Sequence, residues 1–444
     1  MSFVPHGPSD RVAMLQAVGI GSVRELYQDV PSDLVLERPL DVPEGLSEWE
    51  AVRLLGELAN GNAPLVSFAG AGLYDHYVPA AVDHLVRRSE FYTAYTPYQP
   101  EVAQGTLQAI YEFQTMICEL TGMEVANASL YDGASAAGEA ALMATAVTRR
   151  RRVIAAGSLH PHYRKVVKTY VSGQAIELEQ VKPGDDGLLD PEGVGERLDE
   201  ESACLIVQYP NFFGLIEDLE PLAERAHGVG ALFVVAADPV SLALLRSPGE
   251  CGADIVVAEG QPFGNSLSFG GPGVGLFAAK SKYIRQMPGR IVGATVDVEG
   301  RRGYVLTLQA REQQIRREKA TSNICTNQGL NALAATIHLA LIGREGLRQV
   351  AETSAQNAHY ARRRLEEVEG VRPLHPHTPF VREFAVATEE DSHAILDRGI
   401  ERGVLAGVSL SRFPELGAPD GLLLAFTEKR NRAEIDSLVE TLGG

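Results

Sequence analysis

Cysteine is scarce in this sequence, which contains only four in 444 residues. They are Cys118, Cys204, Cys251 and Cys325. Their separations match none of the close cysteine spacings found in zinc or redox sites. Isolated cysteines of this kind are typical of reduced thiols in the cytosol. We therefore predict a cytoplasmic protein with neither a disulfide framework nor a metal site.

Long uninterrupted apolar stretches are lacking as well. The N-terminal residues show no basic segment followed by an apolar one, so a signal peptide is not indicated. The apolar run at 230–245 is interrupted by Asp238 and Pro239, which makes it unsuitable for crossing a bilayer. The sequence thus predicts no membrane segment.

Positive charge is in deficit. Lys and Arg together number 40 against 58 Asp and Glu, which gives a formal net charge of −18. A surface of this sign repels nucleic acid and anionic membranes. We exclude both as main partners and expect small molecules or proteins instead.

Lysine is the residue whose shortage matters most. The seven lysines are Lys165, Lys168, Lys182, Lys280, Lys282, Lys319 and Lys429. None falls in residues 259–277, a polar, glycine-rich crossing between two apolar segments that indicate strands. Lys280 and Lys282 follow the second of these segments, where a lysine side chain usually extends into solvent. No lysine has the desolvated setting that would lower its pKa for covalent chemistry.

The remaining composition is that of an ordinary globular protein, with 45% hydrophobic and 22% charged residues. Residues 1–60 indicate short helices, with Ser47 and Glu50 at capping-box spacing. Within 61–330, residues 125–279 alternate strand-like and helical segments, which is typical of a mostly parallel, doubly wound sheet. Long helical stretches and further strands follow at 331–444. We predict an α/β fold with an N-terminal helical segment, a large α/β domain and a smaller C-terminal α+β domain over these three ranges.

Three strand ends carry residues that suit a ligand, and each has a simpler explanation. The turn at Gly133 opens a helix whose N–H groups could hold a phosphate, but a tight turn also selects glycine and Glu139 would repel the anion. Asp238 could pair with a protonated ring nitrogen or cap the following helix. His160 and His162 could stack on a ring or relay a proton, although histidines before a helix are more often packing residues. On the residues alone we favour the structural explanation each time.

Two loops combine aromatic, acidic and histidine side chains with Gly and Pro, namely 70–80 and 92–101. Loops of this composition commonly shape binding sites. A packed tyrosine cluster at a domain or subunit contact would use Tyr92, Tyr95 and Tyr98 equally well. A third segment, 311–329, is a basic helix with a polar end, and surface ion pairs explain its charges better than they explain that end.

Five segments together resemble one family. They are FAGAGLYDHYVPAAV, FYTAYTPYQPEVAQGTLQAIYEFQTMICELTGM, ASLYDGASAAGEA, AEGQPFGNSLSFGGPGVGLFA and REKATSNICTNQ. Over almost its whole length the sequence is similar to the P-protein of the glycine cleavage system, the glycine dehydrogenase (aminomethyl-transferring, decarboxylating). The resemblance is specifically to the α subunit, or subunit 1, of the two-polypeptide form. The last two segments are the most specific.

The resemblance implies a type I pyridoxal-phosphate fold and an α2β2 assembly, in which the β subunit carries the Schiff-base lysine and the α subunit lacks it. The partner's pyridoxal phosphate would act as an electron sink while glycine loses carbon dioxide, and the aminomethyl group would pass to the lipoyl arm of H-protein. This chain would hold no cofactor covalently, contain no catalytic residue of its own and be inactive alone.

The same resemblance places two groups of residues at the partner's pocket. The group near the substrate or lipoyl channel comprises Tyr95, Tyr98, Glu101, Gly70, Gly72, Tyr74 and His76. The group near the phosphate of the partner's cofactor comprises Thr321, Ser322 and Asn323.

Two other hypotheses stay open. The chain could be a structural subunit with a vestigial pocket that only stabilises its partner and docks H-protein, in which case pocket substitutions leave turnover intact. It could also be a self-sufficient pyridoxal-phosphate aldolase or aminotransferase. That enzyme would use Lys280 or Lys319, and borohydride would label one of them.

Overall fold

The computed structural model describes residues 5–92, 95–311, 313, 315 and 317–444, without the side chains of Arg311 and Lys319. The chain divides into two compact units, Met1–Ala63 and Pro64–Gly444. The predicted boundaries near residues 60 and 330 stay predictions.

In the described residues the helices are α1 (Pro8–Val18), α2 (Glu48–Asn60), α3 (Ala80–Val86), α4 (Ser89–Tyr92), α5 (Gln104–Thr121), α6 (Gly133–Thr148), α7 (Pro161–Ser172), α8 (Pro191–Gly195), α9 (Leu219–Gly228), α10 (Gly329–Leu365), α11 (Ser392–Glu401) and α12 (Arg432–Gly443). The strands are β1 (Val66–Ser67), β2 (Val125–Ala126), β3 (Arg152–Ala156), β4 (Glu177–Val181), β5 (Ser202–Tyr209), β6 (Leu232–Ala237), β7 (Ile255–Glu259), β8 (Gly275–Ala279), β9 (Ile291–Val296), β10 (Arg302–Thr307), β11 (Val371–Pro373), β12 (Glu383–Thr388), β13 (Val404–Leu405), β14 (Val408–Ser409) and β15 (Gly421–Ala425).

The N-terminal unit is built from α1, α2 and short 3-10 turns. The predicted capping box is present at α2, because Ser47 Oγ accepts from the Glu50 N–H at 3.4 Å and Glu50 Oε2 accepts from the Ser47 N–H at 2.9 Å. Neither α1 nor α2 contains a buried residue.

Seven strands form the central sheet of the second unit, in the order β2-β8-β7-β6-β5-β3-β4. The five neighbouring strands β4, β3, β5, β6 and β7 pair in parallel with one another, whereas β8 runs antiparallel to both β7 and β2. Every residue of β6 and β7 is buried, as expected of parallel strands covered on both faces. This arrangement confirms the predicted α/β fold with a mostly parallel sheet.

A second sheet, β11-β12-β15-β14, is antiparallel throughout and packs with the C-terminal helices. The short strand β1 pairs in parallel with β13, and the Phe68 carbonyl accepts from the Ala425 N–H at 2.9 Å. The chain therefore passes along the C-terminal strands before it enters the loop that begins at Gly70. This path brings the 70–76 loop against both sheets.

Among the described helices, none combines the length and the apolar character that a membrane crossing requires. The four cysteines are all free thiols. No group of three or more His, Cys, Asp or Glu side chains in the described part of the chain is placed to hold a metal ion.

Candidate functional site

Polar side chains collect where the parallel strands end. Asp238 follows β6, Glu259 ends β7 and His160 follows β3. The carboxyl ends of parallel strands lie at one edge of a sheet, which is where doubly wound sheets bind ligands. We call the hollow at this edge the edge pocket; it is lined by Gly72, Tyr74, His160, Tyr163, Gln208, Asp238 and Glu259.

The loop at 70–76 closes the edge pocket through two glycines. A side chain at Gly70 would put its Cβ only 2.3 Å from Glu383 Oε1, so the backbone can approach this closely only without one. Gly72 has a left-handed φ of +96° and lies against His160, with a Cβ position 3.1 Å from the ring. Glycine at both positions therefore sets how deeply the loop enters the pocket.

His160 is held as a neutral ring. Its Nε2–H donates to the Ala71 carbonyl at 2.7 Å, and its Nδ1 accepts from the His162 N–H at 3.0 Å. Burial lowers the pKa of His160 to about 4, because the charged form is poorly solvated there. The ring also stacks on Tyr163 with 5.4 Å between centroids. The face of His160 that could stack on a ligand ring is therefore covered by Tyr163 of the same chain.

Arg382 is the central cation of this region and is 2% exposed. Its guanidinium donates to both carboxylate oxygens of Asp238 at 2.7 Å and lies 3.7 Å from the centre of the Tyr74 ring. Burial alone would raise the pKa of Asp238, but the charge and hydrogen bonds of Arg382 hold it below its usual value. Asp238 also accepts from Ser241 Oγ, but the predicted helix cap is wrong: the 3-10 turn Ser241–Ala243 has Val240 as its N-cap residue and no side-chain cap, and the carboxylate is held by Arg382 instead.

His76 connects this ion pair to Glu428. Its Nε2 accepts from Arg382 Nη1 at 2.7 Å, so the ring proton is on Nδ1, which donates to Glu428 at 2.6 Å. Burial lowers the pKa of His76, although Glu428 opposes the shift. A neutral histidine here bridges a buried cation and a carboxylate.

Tyr74 and Glu383 form the other side of the same network. The Tyr74 hydroxyl donates to Glu383 Oε2 at 2.7 Å, and the Ala71 N–H donates to Oε1 at 2.8 Å. Burial raises the pKa of Glu383 to about 7 in spite of these donors. The loop at 70–76 is therefore fixed by charged and neutral hydrogen bonds along its length.

The Glu259 carboxylate lies at the Gly133 turn, where the sequence offered a phosphate site as one interpretation. Its Oε2 accepts from the Gly133 N–H at 3.0 Å, and its Oε1 accepts from the Gln261 and Val274 N–H groups at 2.9 Å each. Burial raises the pKa of this carboxyl to about 7, against the effect of the three donors. Since Gly133 is the first residue of α6, the helix N-terminus already has an anionic partner.

The edge pocket does not fit pyridoxal phosphate. Its volume of about 30 Å³ is room for roughly two water molecules. The amides that would hold a phosphate are taken by Glu259, and the aspartate that would meet a ring nitrogen is taken by Arg382. The pocket of this chain therefore offers that cofactor neither space nor a lysine anchor.

A second polar region surrounds Arg290, which is 6% exposed. Its guanidinium donates to the Cys325 carbonyl at 2.8 Å and to Thr326 Oγ1 at 3.1 Å, and it lies 5.7 Å from the centre of the Tyr98 ring. Asn327 Nδ2 donates to the Ala128 carbonyl at 2.9 Å. We call Tyr98, Arg290, Cys325, Thr326 and Asn327 the Arg290 cluster.

The segment 321–323 leads into the Arg290 cluster from its exposed side. Thr321 and Asn323 are exposed and Ser322 is half-buried. Thr321 and Ser322 line a small hollow together with Arg290. Burial raises the pKa of Glu139 to about 7, and a hydrogen bond with Ser322 opposes that shift. Thr321 and Asn323 are therefore accessible, whereas the Ser322 hydroxyl is engaged by Glu139, and a buried arginine lies behind the segment.

A cavity of about 200 Å³ lies between α5 and α10 beside the Arg290 cluster. Its walls are mostly apolar and include Phe91, Tyr92, Tyr95, Ile110, Phe113 and Leu333, with Thr106, Thr326, Asn327 and Thr336 as polar members. Tyr95 is 77% exposed and Tyr98 is 44% exposed. The cavity suits an apolar or amphiphilic group that enters from the surface.

The structure divides the predicted channel residues between two places. Gly72 and Tyr74 line the edge pocket, Gly70 and His76 lie on the same loop, and all four are buried or half-buried. Tyr95 lines the cavity, Tyr98 belongs to the Arg290 cluster, and Glu101 is exposed in the loop before α5. Thr321, Ser322 and Asn323 adjoin the second place. The roles of these residues stay predictions.

Sequence reasoning missed the residues that organise both places, namely Arg290, Arg382 and Glu428. Arg382 and Glu383 are two consecutive charged residues in an otherwise apolar segment. They could have been identified from the sequence, because a charge in a buried strand needs a partner. Arg290 and Glu428 have no comparable local signal, since their partners lie far away in the sequence.

Lys280 lies away from the edge pocket. Because β8 is antiparallel to β7, the end of β8 meets the start of β7 at the opposite edge of the sheet. There Lys280 Nζ donates to Asp254 at 2.8 Å and to the Gly252 carbonyl at 3.2 Å. The side chain of Lys319 is outside the described residues.

Residues 1–442 match the family model described as glycine cleavage system P-protein. The chain is 53% identical to a probable glycine dehydrogenase (decarboxylating) subunit 1 from Desulforamulus reducens, over all of this chain and 99% of that protein. A protein of the same description from Carboxydothermus hydrogenoformans is also 53% identical, with both chains covered completely.

A solved structure of glycine decarboxylase (P-protein) of the glycine cleavage system, in inhibitor-bound form, superposes with a TM-score of 0.91 at 45% identity. It covers all of this chain and 99% of that one. A sphingosine-1-phosphate lyase from Burkholderia pseudomallei has a TM-score of 0.65 at 16% identity, with 92% of each chain covered, and this likeness concerns the fold alone.

Proposed function

The chain belongs to the glycine cleavage system P-protein family, and on that premise we propose that it is subunit 1 of a glycine dehydrogenase (decarboxylating) that works with a second, lysine-bearing subunit. The observation that carries this proposal is the full-length match, at 53% identity, to proteins described as subunit 1. The lysine-free crossing at 259–277 supports it, because the chemistry needs an anchored cofactor.

Pyridoxal phosphate supplies the electron sink for the loss of carbon dioxide from glycine when it is bound. We assign it to the partner subunit of an α2β2 assembly. The content of the edge pocket supports this assignment, since Glu259 and Arg382 already satisfy the groups that would bind the phosphate and the ring. In this assembly our chain would contribute surface residues to the pocket of the partner subunit and would bind no cofactor in its own edge pocket.

The segment 321–323 is our candidate for contact with the phosphate of the partner's cofactor. The hydroxyl of Thr321 and the amide of Asn323 are donors of the kind that phosphate oxygens accept, and the Ser322 hydroxyl would join them by turning away from Glu139. Arg290 holds the following residues through the Cys325 carbonyl and Thr326. The segment thus presents donors from a fixed base, with a positive charge behind them.

The cavity beside Tyr95 and Tyr98 is our candidate for the path of glycine or of the lipoyl arm of H-protein. Tyrosines provide apolar ring surface together with a polar hydroxyl, which suits a passage for an amphiphilic group. Glu101 lies on the same loop and is exposed. The buried residues Tyr74 and His76 hold the 70–76 loop, and we propose a positioning role for them.

The test uses this chain co-expressed with its lysine-bearing partner. Exchange of carbon between bicarbonate and the glycine carboxyl reports decarboxylation, and it should require both chains. T321V should lower the exchange rate about tenfold or more, because a lost hydrogen bond to a charged group is worth about 1.5–3 kcal/mol. Y95A should lower it as well, because it removes ring surface from the wall of the cavity. For T321V the affinity of the complex for pyridoxal phosphate should fall in parallel.

Two matched controls change the same residue types at exposed sites elsewhere. T169V lies on the outer face of α7 and Y27F lies in the N-terminal unit. Both should leave exchange unchanged. Unaltered exchange in both T321V and Y95A would refute the residue assignments while leaving the family assignment intact.

The self-filled edge pocket favours a second candidate, a docking subunit that makes no contribution to the reaction. In that case T321V and Y95A keep full exchange activity, and only substitutions that prevent co-purification of the two chains abolish it. The same set of variants therefore separates the two functions.

A further inference from the structure

Three backbone N–H groups that are separated in the sequence converge on the Glu259 carboxylate. Gly133 begins the 16-residue helix α6, Gln261 opens the glycine-rich crossing and Val274 closes it. All three donate to one carboxylate, at distances of 3.0, 2.9 and 2.9 Å. Converging amides at the N-terminus of a long helix form an anion site, because the N–H dipoles and the helix dipole act in the same direction.

The backbone is shaped closely around this carboxylate. A Cβ at Gly273 would lie 2.8 Å from Glu259 Oε2 and 2.9 Å from Oε1, and a Cβ at Gly133 would lie 2.8 Å from the Glu259 nitrogen. Asp132 caps α6 by accepting from the Ser135 N–H at 2.7 Å, so the turn accommodates two acidic groups. The glycines therefore allow three amides to surround an anion that belongs to the chain itself.

The other end of the edge pocket is filled in the same way. Asp238 follows the end of β6, and its two carboxylate oxygens accept from Nε and Nη2 of Arg382 at 2.7 Å each. The Arg382 guanidinium, immediately before β12, thus takes the position next to Asp238 that a positively charged group of a ligand would occupy. The remaining volume, about 30 Å³, borders both Asp238 and Glu259.

We infer that the edge pocket is self-occupied: the Glu259 carboxylate stands in for a ligand phosphate on the amides of Gly133, Gln261 and Val274, and the Arg382 guanidinium stands in for a ligand cation on Asp238. The chain keeps the architecture of an anion-binding site and closes it with its own side chains. The inference concerns this chain's own pocket and holds whether or not glycine is the substrate of the assembly.

The test is to remove the internal anion and offer an external one. Purified full-length wild type and E259A are compared by equilibrium dialysis with radiolabelled inorganic phosphate in chloride buffer at pH 8. The E259A chain should bind about one phosphate, at least about tenfold more tightly than wild type. The control is E217A, which removes another buried carboxylate whose three donors include one backbone amide, that of Leu189. It should bind no more phosphate than wild type.

Folded E259A that binds phosphate no better than wild type would overturn the inference. Wild type supplies a second check that needs no variant and so covers the case in which E259A does not fold. Pyridoxine 5′-phosphate carries the phosphate and the ring but no aldehyde that reacts with surface lysines. It should show no saturable binding to the wild-type chain, and a saturable complex would equally overturn the inference.

Discussion

Three buried glutamates have carboxyl pKa values of about 7, and they differ in what compensates their burial. Glu259 accepts from three backbone amides, and Glu383 accepts from a backbone amide and from Tyr74. Burial is the cause of the shift at Glu139, with a hydrogen bond from Ser322 opposing it. Glu139 lies outside the edge pocket, so its charge can be removed without changing the contacts of Glu259 or Arg382.

The E139Q variant should change how stability depends on pH. The pKa of Glu139 rises from 4.5 to about 7 on folding, so the folded state holds the proton more tightly than the unfolded chain. Its contribution to stability is complete below pH 4.5 and is lost as pH rises to about 7. Wild type should therefore lose up to about 3 kcal/mol relative to E139Q between pH 5 and pH 8.

Urea unfolding of both proteins at several pH values measures this difference. The variant E224Q removes the same charge at an exposed position of α9, and its difference from wild type should be nearly constant with pH. A pH-independent difference between wild type and E139Q would mean that Glu139 is ionised at little cost in the folded protein.

At the scale of elements, the features that depend on neighbouring residues could be predicted from the sequence. The capping box at Ser47 and the buried apolar strands both follow from nearby residues. The pairing of β1 with β13 could not be predicted, because it joins segments more than 300 residues apart. The partners of Arg290 and the contact of the Gly133 N–H with Glu259 also join segments that are distant in the sequence. These interactions could therefore not be predicted either.

The break in α10 depends on one glycine. Gly343 has φ +62° and ψ −175°, and a Cβ there would have no atom within 4 Å. The G343A variant should therefore lower the free energy of unfolding by about 1–3 kcal/mol through backbone strain alone. G105A, in the first turn of α5 with equally open space, should be neutral or slightly stabilising. Equal stability of G343A and G105A in urea unfolding would show that the break tolerates a side chain.

At the scale of the whole molecule, the chain separates a closed pocket from an open surface. The edge pocket is saturated by Glu259 and Arg382, whereas the accessible polar groups lie at 321–323 and beside Tyr95. An anchored cofactor needs a lysine in a desolvated pocket, and Lys280 is instead paired with Asp254 at the opposite edge of the sheet. This arrangement supports our proposal that the covalent chemistry belongs to a second chain, which would meet the open surface.

Borohydride reduction of the co-purified complex tests this division directly. It converts a lysine Schiff base into a stable secondary amine, so peptide mapping identifies the anchoring lysine. Without added cofactor, we expect the pyridoxyl label at about one lysine of the partner subunit and at none of the seven lysines of this chain. The K280A variant should leave both the extent and the position of labelling unchanged. Stoichiometric label on Lys280 or Lys319 would instead establish a self-sufficient enzyme, and it would require the edge pocket to open far enough to admit the cofactor.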